Sequence, residues 1–81
     1  LAPRDPVIKA ALGAAMVQLE DPEAALRYFD AAVAAGGLDR TYIGDRGLAF
    51  DLLGDQRRAQ ADYAVAEREA PSAEVTRRHA I

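Results

Sequence analysis

Slid against itself by 34 residues, the chain of 81 residues aligns without a gap. Asp5 falls on Asp39, Gly13 on Gly47, Ala15 on Ala49 and Leu19 on Leu53. Asp21 falls on Asp55, Ala25 on Ala59 and Ala32 on Ala66, with Phe29 on Tyr63 and Met16 on Phe50. A fixed internal period of this size marks a repeat architecture. Each unit is one supersecondary element that cannot bury its apolar face alone.

The aspartates convert the period into structure. Asp5, Asp21, Asp39 and Asp55 follow one another at spacings of 16, 18 and 16. Aspartate is a preferred N-cap, because its carboxylate accepts from the free amides of a helix's first turn and its charge suits the positive end. Asp5 and Asp21 are each followed by proline, which is well tolerated at the first helical position. The spacing predicts helices near 6–19, 22–35, 40–53 and 56–69. Gly36-Gly37 and Gly54 provide stops, and Pro71-Ser72 stops the fourth helix and caps a short fifth, about 73–80. Short connections predict antiparallel neighbours. No segment alternates in the two-residue manner of a strand. Half of the chain is apolar, much of that alanine, the best helix former.

Composition narrows function mostly by exclusion. Without cysteine there is no disulfide framework, thiolate metal site or cysteine nucleophile. One histidine, His79, leaves almost no room for histidine metal clusters or a Ser-His-Asp arrangement; a surface or capping role suits it. A net charge of −3 argues against general nucleic-acid binding. No stretch is apolar enough to span a bilayer, and no signal-peptide pattern is present.

Helical spacing then assigns faces. In the first helix Lys9, Leu12, Gly13, Met16 and Leu19 form an expected buried stripe, repeated in the third by Ile43, Arg46, Gly47, Phe50 and Leu53. Glycine inside a helix costs about 1 kcal/mol relative to alanine. Its recurrence predicts a packing reason, the simplest being close approach of a neighbouring backbone. Ala25, Phe29 and Ala32 make the expected inward face of the second helix, and Ala59, Tyr63 and Ala66 that of the fourth.

At this point the chain resembles the tetratricopeptide repeat (TPR) family, whose signature is W-x₂-L-G-x₂-Y…A-x₃-F…P. The second unit offers Ile43, Arg46, Gly47 and Phe50, then Ala59, Tyr63 and Pro71. The first offers Lys9, Leu12, Gly13 and Met16, then Ala25, Phe29 and Gly37. Lys9 and Ile43 replace the large first aromatic, Arg46 the leucine and Gly37 one proline. Lys9 and Arg46 are expected to lay their stems on apolar surface and send their heads to water. The resemblance implies an all-α fold, with antiparallel helix pairs stacked as a short right-handed TPR superhelix, an α-solenoid. It covers the chain as a single domain, 1–81: the tail of a preceding repeat (1–5), repeat 1 (6–39), repeat 2 (40–73), and a capping helix or the start of a further repeat (74–81).

Such a fold implies a protein–protein interaction scaffold and not an enzyme, with no cofactor, no metal site and no catalytic residues. The partner would be a protein or peptide segment, not nucleic acid. Mapped by the resemblance, a concave face carries Val7, Ala10, Ala14, Val17 and Gln18 from the first helix, and Thr41, Gly44, Leu48, Asp51 and Leu52 from the third. Val7, Val17 and Leu48 equally suit packing against the next turn of a longer array. One family subclass grips acidic chaperone tails with lysine and asparagine. The corresponding places here, Ala10, Ala14 and Asp45, cannot supply that clamp. The alternative is a self-association module, a homo-oligomer in which ends exposing Leu38, Val75 or Ile81 seek another copy. Among charged groups, Glu23 and Arg27 have the order of a helical ion pair. Arg57-Arg58 and Arg77-Arg78 read as solvated surface, and Asp55 is better used as a cap than as an acid–base partner of Asp51.

Overall fold

The computed structural model describes residues 5–69. It contains α1 (Pro6–Gln18), α2 (Pro22–Ala35), a 3₁₀ turn (Arg40–Tyr42), α3 (Ile43–Leu52) and α4 (Gln56–Glu69). No strand occurs among the described residues. The expected fifth helix at 73–80, the leading tail at 1–4, and Pro71, Val75, Arg77-Arg78, His79 and Ile81 lie outside them.

All four aspartates cap as the spacing predicts. Asp5 accepts from the Val7 amide at 2.8 Å, Asp21 from Ala24 at 3.2 Å, Asp39 from Thr41 at 2.8 Å and Asp55 from Arg58 at 3.3 Å. The third helix begins differently from expectation. Asp39 reaches only two residues ahead, the Tyr42 amide bonds the Asp39 carbonyl at 2.9 Å, and the first turn tightens to 3₁₀ before α3 starts.

The two helix pairs turn through the same corner. The Asp21 amide donates to the Met16 carbonyl and the Asp55 amide to Phe50, both at 2.9 Å. The preceding residues, Glu20 and Gly54, donate to Val17 and Asp51, also at 2.9 Å. This is a Schellman closure, which needs a left-handed residue at its apex. Gly54 meets the need with φ 82°; Glu20, its equivalent, does so with φ 58°. Each corner aspartate therefore ends one helix and caps the next.

Antiparallel pairs α1/α2 and α3/α4 each pack along their lengths, and α3 lies against both α1 and α2. The core is small and rich in alanine: Ala10, Val17, Ala25, Phe29, Ala32 and Ala49, with Met16, Leu26, Leu38 and Tyr42 packed around it. Phe29 is the one large side chain wholly removed from solvent among the described residues. The repeated glycines do allow a close approach, but of rings and not of backbone. A Cβ on Gly13 would lie 2.6 Å from the Phe29 ring, and one on Gly47 would lie 3.0 Å from the Tyr63 ring.

The expected buried stripe of α1 is only partly buried. Gly13 is buried and Met16 is partly so, but Leu12 is 42% and Leu19 71% exposed. The helix is rotated so that Ala10, Gly13 and Val17 face inward. Leu53 is exposed at the matching end of α3. Leu38, expected at an exposed end, packs against the core instead. Glu23 and Arg27 are not paired within 4 Å.

Candidate functional site

The rotation of α1 decides which of the expected partner-contacting residues are open. Ala10 and Val17 are withdrawn into the core, so they offer nothing to a partner. Gly44 and Asp51, their equivalents in α3, turn toward α4. A Cβ on Gly44 would meet Ala66 at 3.6 Å. Asp51 accepts from the Gln56 side-chain amide at 2.6 Å, and its charge lies near enough to Tyr63 to help burial raise the phenol's pKa. Asp51 remains exposed, but it is engaged by its neighbours. These four positions belong to the side on which each helix meets its antiparallel partner.

The other expected residues share one open face. On α1, Val7, Ala14 and Gln18 fall in a line completed by Ala11, at i, i+4, i+7 and i+11. On α3, Leu48 and Leu52 fall in the equivalent line, which runs from Thr41 through Asp45. Val7 is 49%, Leu48 40% and Leu52 46% exposed, and Gln18, Ala11 and Thr41 are exposed as well. Ala14 and Asp45 are half-buried. Helices α1 and α3 pack against each other, and each carries its stripe at equivalent positions of the repeat. Of the ten expected residues, Val7, Ala14, Gln18, Thr41, Leu48 and Leu52 fall on these two lines, and Ala10, Val17, Gly44 and Asp51 do not. Ala11 and Asp45 complete these lines; the sequence resemblance singled out Asp45 only as a place that cannot supply a clamp for acidic tails, and Ala11 not at all.

Asp45 is the unusual member. Burial raises its carboxyl above the ordinary value of 3.8. No cation or hydrogen-bond donor reaches it among the described residues. By contrast, Arg46, one residue on, is fully engaged elsewhere. Its Nε and Nη2 donate to the two carboxylate oxygens of Asp62 at 2.8 and 2.9 Å. Asp62 is the one buried charged side chain among the described residues. Hydrogen bonding to Asp62 raises the Arg46 pKa, with Asp62 and Asp30 adding charge attraction. The expectation that Arg46 sends its head to water is thus corrected: the head closes a fork against α4. The sequence carried a signal for this. The positions equivalent to Arg46 and Asp62 are Leu12 and Tyr28, so both members change from uncharged to opposite charges together.

Comparison with protein-family models, curated proteins and solved structures finds no match to any of them. The case for a function therefore rests on the repeat, the fold and the open face. Among the described residues no group of three histidine, cysteine, aspartate or glutamate side chains is placed to hold a metal. No helix among them is long and apolar enough to cross a membrane. The basic dipeptide at Arg57-Arg58 is only partly free surface: Arg58 sits 3.5 Å from Asp55 and its guanidinium lies 5.7 Å from the Phe50 ring centre.

Proposed function

We propose that the chain is an interaction scaffold of the tetratricopeptide kind, whose helix pairs stack as a short right-handed superhelix and whose α1/α3 face receives a segment of a partner protein. The observation that carries this reading is the pair of equivalent, side-by-side stripes with Val7, Leu48 and Leu52 left open. Apolar side chains held in register on two adjacent helices offer a partner burial without rearrangement of the scaffold. Selection of binding peptides from a random display library tests it. Peptides enriched on the wild-type chain should fail to bind a Leu48→Glu/Leu52→Glu variant whose helical circular dichroism is unchanged. Equal binding to the variant would sink the reading.

A specific observation also favours self-association. Tyr42 of the 3₁₀ turn and Ala49 of α3 pack into the core formed with repeat 1, and Arg46 feels Asp30 of α2. The equivalent side of α1 carries Ile8, Leu12 and Ala15, and it leaves Leu12 and Leu19 open. Another copy's second helix pair would meet there the equivalent of what repeat 1 meets inside the chain. Sedimentation velocity over a range of concentrations decides this. A concentration-dependent oligomer abolished by Leu12→Glu would support it, and a monomer throughout would count against it.

A further inference from the structure

We propose that the α1/α3 face selects partner segments carrying an arginine or lysine between two apolar side chains, with Asp45 as the anchor for that cation. The inference rests on the reading of this face as the docking surface and adds the chemistry of what docks. Three observations support it. Asp45 stands in line with Leu48 and Leu52 at i, i+3 and i+7, so its carboxylate is flanked by apolar surface on its own helix. The equivalent line of the neighbouring helix presents Val7, Ala11 and Ala14, short or apolar side chains that bring no charge of their own. Asp45 itself is half-buried, its carboxyl is raised by loss of water, and it has no partner among the described residues.

A carboxylate that has lost part of its hydration without gaining a donor is unfavourably placed in the free chain. A cation delivered by a partner supplies charge-assisted hydrogen bonds in a setting that docking makes drier still. Arg46, the next residue along the chain, has its Nε and Nη2 committed to the two Asp62 carboxylate oxygens. Asp51, at the edge of the face, already accepts from the Gln56 side-chain amide at 2.6 Å. Asp45 is thus the one acidic group within the open stripes, and apart from the positive end of α3, in whose first turn it stands, no cation among the described residues answers its charge. Leu48 and Leu52 set where the apolar side chains of the partner must lie relative to its cation. A metal ion is a poor occupant, since among the described residues no group of three carboxylate, histidine or cysteine ligands gathers there.

Peptide display on three chains separates this inference from the reading beneath it: the wild type, Asp45→Asn, and Leu48→Glu/Leu52→Glu. Wild type should enrich peptides with a basic residue between apolar ones. Asp45→Asn should enrich apolar peptides without that residue. A wild-type-selected peptide should bind Asp45→Asn about tenfold or more weakly by fluorescence anisotropy. Its arginine-to-methionine version should bind the two chains alike. Enriched peptides that lack a basic residue, or that bind Asp45→Asn as well as wild type, would overturn the cation anchor while leaving the face intact. Absence of enrichment, or binding indifferent to Leu48→Glu/Leu52→Glu, would overturn the face and the anchor together.

Discussion

At the scale of single residues the two repeats offer matched comparisons. Glu20 and Gly54 occupy the apex of the same corner, both left-handed, at φ 58° and 82°. A side chain in that region costs about 1–2 kcal/mol, and glycine avoids most of it at some entropic cost in the unfolded chain. Glu20→Gly should therefore stabilise the fold by about 0.5–1 kcal/mol. An increased urea midpoint at unchanged slope would show it, and a decrease would refute the strain argument. Gly13 and Gly47 make the second comparison. Phe29 is wholly buried and its ring would stand 2.6 Å from a Cβ on Gly13, whereas Tyr63 is half-exposed and 3.0 Å from one on Gly47. Gly13→Ala should cost about 1–3 kcal/mol despite better helix propensity. Gly47→Ala should cost less than Gly13→Ala, since its Cβ would meet the half-exposed Tyr63 ring at 3.0 Å and the Asp62 Cβ at 3.1 Å, and the gain in helix propensity offsets part of those contacts. The aspartate caps were fully legible in the sequence, because capping is a local interaction over two or three residues. The reason for the glycines was half legible: recurrence showed that something came close, but not that it was a ring.

At the scale of helices, the second pair is clasped by an ion pair where the first has Leu12 and Tyr28. No buried side-chain polar atom among the described residues lacks a partner. The pair is thus satisfied, and it is vulnerable to losing either member. Arg46→Leu alone leaves Asp62 buried without its cation and should cost about 3 kcal/mol. Asp62→Tyr alone should cost somewhat less, because Arg46 keeps contact with water. The double change, which copies repeat 1 into repeat 2, should recover most of the loss. Thermal or urea unfolding of the four chains of this cycle measures the coupling, and additive losses would contradict it. The rotation of α1 was the least legible feature. In PVIKAALGAAMVQ nearly every position is apolar or small. Periodicity then offers little contrast, and tertiary contact with Phe29 and α3 chooses the inward face. α3 carries more polar residues, yet the sequence reading misplaced Arg46 because a lone charge facing inward invites a snorkelling account until its partner is seen.

For the molecule as a whole, two carboxylates pull the pH dependence in opposite directions. Asp39 is held below its ordinary range, chiefly by the Thr41 backbone amide. Its contribution is present above the unfolded value and is lost as pH falls through the folded one. Asp45 is raised by burial. Folding favours its protonated form, so its contribution is greatest below the unfolded value and is lost as pH rises through the folded one. At neutral pH the ionised Asp45 is a small liability. Asp45→Asn should be modestly more stable than wild type there, and the gap should close as pH falls below the unfolded value of 3.8. Paired urea titrations across that range would show it; a gap independent of pH would argue against desolvation as the cause. A group that weakens the free chain and strengthens a complex is what a binding surface is expected to retain.

The clasp between Arg46 and Asp62 also bears on how the chain avoids confusing its own parts. Two near-copies of one hairpin, joined in tandem, give each helix two plausible mates. Were α1 to zip onto α4, Leu12 would meet Asp62 and leave a carboxylate stranded; were α3 to settle on α2, Arg46 would meet Tyr28. Each wrong match would separate the two charges, while the α3/α4 match pairs them. The departure from strict repetition therefore acts as a key, telling otherwise interchangeable helices which neighbour is their own during folding.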